Sequence, residues 1–136
     1  MAQEPGAQAL FDKFGTYILP GRVDDPRRGI EEAQEAERIG LGAIWISERF
    51  ALKEPAVLAG AVSQATSNIR INGTFYATMR HPIVTASVAN LMQAVSADRF
   101  SIMFARAVPT YMQMLGAPAI TMERLADYIS IMRRLW

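Results

Sequence analysis

Ala36-Glu37-Arg38-Ile39-Gly40-Leu41-Gly42-Ala43-Ile44-Trp45-Ile46-Ser47 is the stretch that decides the fold. Its first residues belong to a helix whose apolar stripe holds Ile30, Ala33 and Ala36, with Glu31, Glu32, Glu35 and Arg38 largely elsewhere. Gly40 supplies the left-handed residue that commonly ends a helix. Ala43–Ile46 then runs apolar without alternation, as a strand buried on both faces does. A helix leading at once into such a strand predicts a parallel sheet with crossover helices.

Working outward, the same unit recurs. Upstream, Phe14–Leu19 is an apolar run closed by Pro20-Gly21, and Asp25-Pro26 pairs an N-cap residue with proline at the first helical position. Downstream, Glu54-Pro55 opens a helix with Leu58, Ala61, Val62 and Ala65 on one stripe. Ile69–Phe75 reads as a third strand, with Gly73 a candidate bulge. Pro82 opens a helix carrying Val84, Val88, Leu91, Met92 and Val95, and Phe100–Ala105 reads as a fourth strand. Thr121 is placed to cap a last helix with Leu125, Ile129, Met132 and Trp136 on one stripe. Strands therefore begin near residues 14, 42, 69 and 100, a repeat of roughly 30 residues that fits one strand plus one helix each time.

Two α/β architectures accommodate that rhythm. A doubly wound dinucleotide domain carries a glycine fingerprint after its first strand. Pro20-Gly21-Arg22-Val23-Asp24 does not match it. A (β/α)8 TIM barrel takes about 250 residues, and this sequence has 136. The expectation is a half-barrel: the four N-terminal βα units over residues 13–136, preceded by a loose arm at residues 1–12 rich in Gln, Gly and Ala.

Composition narrows the chemistry. Fourteen basic residues against thirteen acidic ones leave a net charge of +1, which gives no long-range attraction to nucleic acid or an anionic membrane. Cysteine is absent, so disulfides and thiolate catalysis are excluded. His81 is the only histidine, which excludes a multi-histidine metal site. The uncharged stretch Pro82–Ala97 is too short and too polar to span a bilayer, and residues 1–13 lack the apolar core of a signal peptide. A cytoplasmic location is the default expectation.

Several segments resemble one known family. Leu19-Pro20-Gly21-Arg22 and Ala36 through Phe50 look like the first two strand regions of luciferase-like oxidoreductases. Lys53-Glu54-Pro55-Ala56-Val57-Leu58, Ala65-Thr66-Ser67-Asn68-Ile69-Arg70-Ile71, Arg80-His81-Pro82 and Ser96-Ala97-Asp98-Arg99-Phe100 continue the match in order. Ile131-Met132-Arg133-Arg134-Leu135-Trp136 resembles the helix that in the family precedes a further half-barrel. Within the superfamily the likeness is to enzymes that use the deazaflavin coenzyme F420. The resemblance implies hydride transfer or monooxygenation on a small organic substrate, with F420 or FMN as cofactor. One departure stands out. Where the family has a turn of the type Gly-x-Gly-Arg-Gly after the fourth strand, this chain has Met103-Phe104-Ala105-Arg106-Ala107. Each lost glycine adds a Cβ where backbone approaches a flavin or takes positive φ.

In such a barrel the site lies at the C-terminal ends of the strands. After the first strand, Arg22 is either a contact for an anionic cofactor tail or a surface charge. Ser47 and Glu48 follow the second strand. Ser47 is expected near the cofactor ring, and Glu48 is a candidate proton donor or acceptor if burial raises its pKa. The alternative for Glu48 is a surface pairing with Arg49 or Lys53, and an open half-barrel would leave it wet. Gly73 and Thr74 are expected to form a strained bulge supporting the ring, and His81 is a candidate catalytic group or a loop-orienting one. Arg106 is a candidate partner for a phosphate or other acidic cofactor group. Tyr111, Met112, Met114 and Leu115 suit a lid or an interface.

The competing reading is not enzymatic. A four-stranded arc leaves two sheet edges unpaired. It predicts a truncated, inactive or partner-dependent half that pairs with a second copy or with a complementary half-barrel chain.

Overall fold

The computed structural model describes residues 11–21, 24–50 and 52–136. Four strands, β1 (Gly15–Tyr17), β2 (Ala43–Ser47), β3 (Arg70–Tyr76) and β4 (Phe100–Ala105), form one sheet in sequential order. Every neighbouring pair is parallel. Between them run α1 (Arg28–Arg38), α2 (Pro55–Ala65) and α3 (Pro82–Val95), followed by α4 (Pro109–Met114) and α5 (Met122–Leu135). This is the expected run of four strand–helix units in one parallel sheet.

The helix ends follow the local chemistry of their sequences. Glu54 caps α2 by accepting the Val57 N–H at 2.7 Å, with Pro55 at the first position. Thr121 caps α5 by accepting the Arg124 N–H. Past α1, Gly40 takes φ +87°, its N–H reaching Glu37 O while Leu41 N–H reaches Ala36 O, the double closure of a Schellman turn. One boundary moves. Asp25 does not cap α1 itself; its Oδ1 accepts the Arg27 N–H, and Arg28 N–H bonds Asp25 O. Asp25-Pro26-Arg27 thus forms a lead-in turn, and the helix starts two residues later than proline placement suggests.

The helices cover one face of the sheet only. Ile44, Ile46, Ile71, Phe75 and Phe100 pack there against Ala33 and Ala36 of α1, Leu58, Ala59 and Val62 of α2, and Met92 of α3. Strand side chains alternate between faces, and the register puts Tyr17, Trp45, Asn72 and Ser101 in one row on the other face, with Ser47, Thr74 and Met103 in the next. Tyr17 and Met103 are 55% and 43% exposed. The strands are therefore not buried on both faces among the described residues, as their apolar composition suggested. Apolar content on the open face comes from aromatic and sulfur side chains and not from a second helical layer.

At the opposite end of the sheet from the connecting loops described below, Arg99 fastens the strand starts. Its guanidinium donates to the carbonyls of Ser63, Thr66, Ile69 and Ser96 and to Thr66 Oγ1, at 2.8–3.1 Å. Glu37 does similar work from α1, accepting the N–H groups of Ser67, Asn68 and Ile69. A second cluster, Ala77, Ala86, Leu125, Tyr128 and Met132, seats α5 on α3. Thr85 Oγ1 and Tyr128 OH share a buried hydrogen bond of 2.6 Å there.

Among the described residues no helix is long and apolar enough to cross a membrane. The expected arm falls mostly on residues 1–10, and the Arg22 reading on residue 22; both lie outside the described residues.

Candidate active site

The loops after all four strands, together with the start of α1, converge on a cavity of about 860 Å3. It sits at the C-terminal ends of the strands, where a parallel barrel keeps its chemistry. Glu48, Lys53, Tyr76, Arg80, His81 and Tyr111 line it among apolar neighbours that include Ile30, Phe50 and Leu58.

Glu48 is the organising acid. Its N–H continues the strand by bonding Thr74 O, and its Oε2 accepts the Tyr76 N–H at 2.6 Å. Its Oε1 accepts both Nη2 and Nε of Arg80, at 2.8 and 3.1 Å. The Glu48 side chain is only 12% exposed. It is neither wet nor paired with Arg49 or Lys53, and its partner comes from the far side of β3. Arg80 also bonds Glu54, the α2 cap, and lies 4.8 Å over the Phe75 ring. Burial works to lower the Arg80 pKa, but the hydrogen bond and charge of Glu48, joined by Glu54, hold it above the ordinary value.

Ser47 and Thr74 come together, opposite one another in register on the open face. Thr74 Oγ1 is buried without a hydrogen-bond partner among the described residues, an unsatisfied polar group of the kind that proteins seldom leave without a purpose. Gly73 is not with them. It pairs in unbroken register with Ile46 and Ile102, so there is no bulge, and it belongs to the helix-covered face. A Cβ on it would meet Phe75 Cε2 at 2.8 Å and Phe100 Cζ at 3.1 Å. Packing, not backbone strain, explains that glycine. Strain appears one strand later: Ala107 takes φ +59°, the conformation that a glycine of the expected turn would adopt freely. Arg106 beside it is exposed.

His81 stands at the cavity rim as the N-cap of α3, its Nδ1 accepting the Ile83 N–H at 3.3 Å. That bond occupies one ring nitrogen. Tyr111, Met112 and Met114, read from sequence with Leu115 as a lid or interface, lie on the short helix α4, and Leu115 follows it. Tyr111 from that helix accepts the Phe50 N–H at 2.9 Å and meets Tyr76 edge to face, 6.2 Å between centroids. It ties the loop after β2 to the region after β4. Burial, with Tyr111 next, pushes the Tyr76 phenol above its usual range.

From sequence Lys53 is expected at most as a surface partner of Glu48. It is 5% exposed, and its Nζ donates to Leu19 O at 2.8 Å and Ser47 Oγ at 3.0 Å. Leu19 in turn donates its N–H to Glu32 at 2.6 Å and holds φ +51°. The signal available in the sequence was compositional. Lys13 and Lys53 are the two lysines in a chain whose other cations are arginines.

A family model described as luciferase-like monooxygenase matches residues 6–136. The chain belongs to the luciferase-like monooxygenase family. This luciferase-like chain is 28% identical to the oxygenase component of a flavin-dependent trigonelline monooxygenase from Acinetobacter baylyi, over 91% of its own length and 39% of that protein's. It superposes at a TM-score of 0.75 on the oxygenating constituent of 3,6-diketocamphane monooxygenase from Pseudomonas putida, solved with FMN, at 21% identity over 90% of this chain and 39% of that one. The coenzyme F420-dependent tetrahydromethanopterin reductase of Methanopyrus kandleri superposes at 0.65, with 22% identity, 77% of this chain and 30% of that one. The luciferase-like chain thus spans about two-fifths of its curated relative, and its four βα units correspond to the N-terminal half of those barrels.

Proposed function

We propose that these residues form the N-terminal half of a flavin- or deazaflavin-dependent oxidoreductase site that acts on a small organic substrate by hydride transfer or monooxygenation. The observation that carries the reading is the cavity built from the loops after all four strands, in a chain of the luciferase-like family. Outside the lining of that cavity, Ser47 and Thr74 toward the ends of β2 and β3 and the exposed cation of Arg106 after β4 add polar groups that suit such a cofactor. FMN or coenzyme F420, when bound, supplies the hydride chemistry. The protein's share is placement. Thr74 and Ser47 would hold the ring edge, and Arg106 would face an acidic tail group. The Glu48–Arg80 pair fixes the loops after β2 and β3 relative to each other, and Phe50 and Leu58 contribute apolar wall to the cavity. Glu48, doubly bonded to Arg80, serves as a positioning group in this arrangement and not as the proton donor or acceptor that its sequence position suggested.

Titration with FMN and with F420, followed by cofactor fluorescence, tests this reading. Saturable quenching by either supports it and selects the cofactor. No quenching by either up to high micromolar concentration defeats it for these residues alone.

A second reading is favoured by the open sheet face with Tyr17, Trp45 and Met103. Under it, activity needs a complementary half covering that face, from a second copy or another chain. Light scattering then reports a dimer or larger species, and a folded monomer that binds cofactor contradicts it.

A further inference from the structure

Of the charged groups on the cavity, most are already neutralised. Arg80 is held by Glu48 and Glu54, and Arg27 by Asp25. Lys53 is different. It is among the most buried polar residues of the chain, yet no carboxylate lies within ion-pairing distance among the described residues. Its two hydrogen bonds go to a neutral carbonyl and a neutral hydroxyl. An ammonium has three N–H donors, so one remains unassigned at a residue that lines the cavity. The charges that act on it are Arg49, a repulsive neighbour from its own loop, and Glu32 of α1, which accepts the Leu19 N–H and does not reach Lys53 as an ion pair. Burial, then Arg49, press the Lys53 pKa below its ordinary value, against the weaker pull of Glu32. A buried cation without a counter-ion is costly to a fold. An anionic ligand atom in the cavity would remove that cost.

We propose that Lys53 is the anion-recognition residue of this cavity, its free N–H receiving an oxyanion of an organic ligand whose body rests on the apolar and aromatic walls of Phe50, Tyr76 and Tyr111. This deepens the reading of the cavity as a substrate or cofactor site and depends on it. The oxyanion is either a substrate carboxylate or a cofactor phosphate, and one comparison separates each source. Benzoate against benzamide isolates the carboxylate; FMN against riboflavin isolates the phosphate.

The experiment uses the unaltered chain with 13C-labelled lysine. Two lysines make two sets of side-chain signals, and Lys53→Met identifies which set belongs to Lys53. The charged member of at least one pair should bind more tightly by roughly tenfold or more, the scale of a charge-assisted hydrogen bond, and should shift the Lys53 ε-carbon signal while leaving that of Lys13 in place. Lys53→Met, folded by circular dichroism, should erase the preference, and Lys53→Arg should retain part of it. If Lys53→Met does not fold, its assignment is replaced by Lys13→Arg and the wild-type shift decides. Equal affinities within both pairs overturn the proposal, as does a preference that leaves the Lys53 signal unmoved. The benzoate arm contains no flavin, so failure of flavin binding and failure of anion recognition are read separately.

Discussion

Arg80 reaches across from the turn after β3 to hold the Glu48 carboxylate at 2.8 Å, with both side chains more than four-fifths buried. The pair bridges residues 32 positions apart and locks two of the loops that shape the cavity. Removing one partner of such a pair strands a charge in a low-dielectric setting. Arg80→Met is therefore expected to lower stability by about 3 kcal/mol. Arg80→Met with Glu48→Gln should lower it by less than Arg80→Met alone, because no buried charge is left without a partner. Urea unfolding of Arg80→Met, Glu48→Gln and the double variant measures these values, and a double variant that loses the sum of the single effects would count against the coupling.

Ala107 sits at φ +59° directly after Arg106. A Cβ in that region costs about 1 kcal/mol, so Ala107→Gly is expected to raise the melting temperature by a few degrees for a chain of this size. Ala105→Gly, inside β4, should lower it, since glycine weakens a strand. Differential scanning calorimetry of the pair gives opposite signs if the turn is strained as described.

Gly73 faces Phe75 and Phe100. Gly73→Ala should destabilise by about 1 kcal/mol through overpacking, and Phe100→Leu in the same chain should recover part of that loss relative to Phe100→Leu alone. A destabilisation indifferent to residue 100 would place the conflict elsewhere.

Glu37 carries an acid-side stability dependence. Burial tends to raise its pKa, but the backbone N–H groups of Asn68, Ile69 and Ser67 outweigh it and hold the carboxyl below the usual range. The unfolded chain then binds the proton first, so Glu37 contributes fully above the unfolded carboxylate pKa of about 4.3 and loses that contribution as pH falls through the lower folded value. Glu37→Gln should be less stable near neutrality by about 2 kcal/mol, with the gap to the unaltered chain narrowing below about pH 4. Chemical denaturation at pH 7, 5 and 3.5 checks the sign; a gap that widens on acidification would refute it.

What could be read from sequence was local. Glu54-Pro55, Thr121 and Gly40 act within one turn of themselves, so their caps were legible, and the helix-to-strand rhythm set the parallel order of the sheet. Asp25-Pro26 misled by two residues because a capped turn and a capped helix begin with the same dipeptide. Pro109 carried the proline-first signal of α4, but a helix of 6 residues leaves too short a period to register. The site was legible as an address and not as a wiring diagram. Glu48 and His81 line the cavity while Ser47 and Thr74 stand in the strands beside it, yet the Arg80 partner of Glu48 is set by tertiary structure, which single-sequence patterns do not state. Lys53 reads at most as a surface partner because lysine is usually solvated, and only the tertiary fold shows it buried. Gly73 was assigned to the wrong cause because a strand glycine marks equally a bulge or a close neighbour.

The unbroken pairing of β3 with both neighbours makes adjacent residues report on different things. Ile71, Gly73 and Phe75 look toward the helices, while Asn72, Thr74 and Tyr76 look away from them. A deep mutational scan along this strand should thus beat in two-residue time, odd positions governing how much protein survives and even positions governing what the surviving protein can hold. Selection acting on ligand preference could work through the even set while leaving the scaffold's tolerance almost intact.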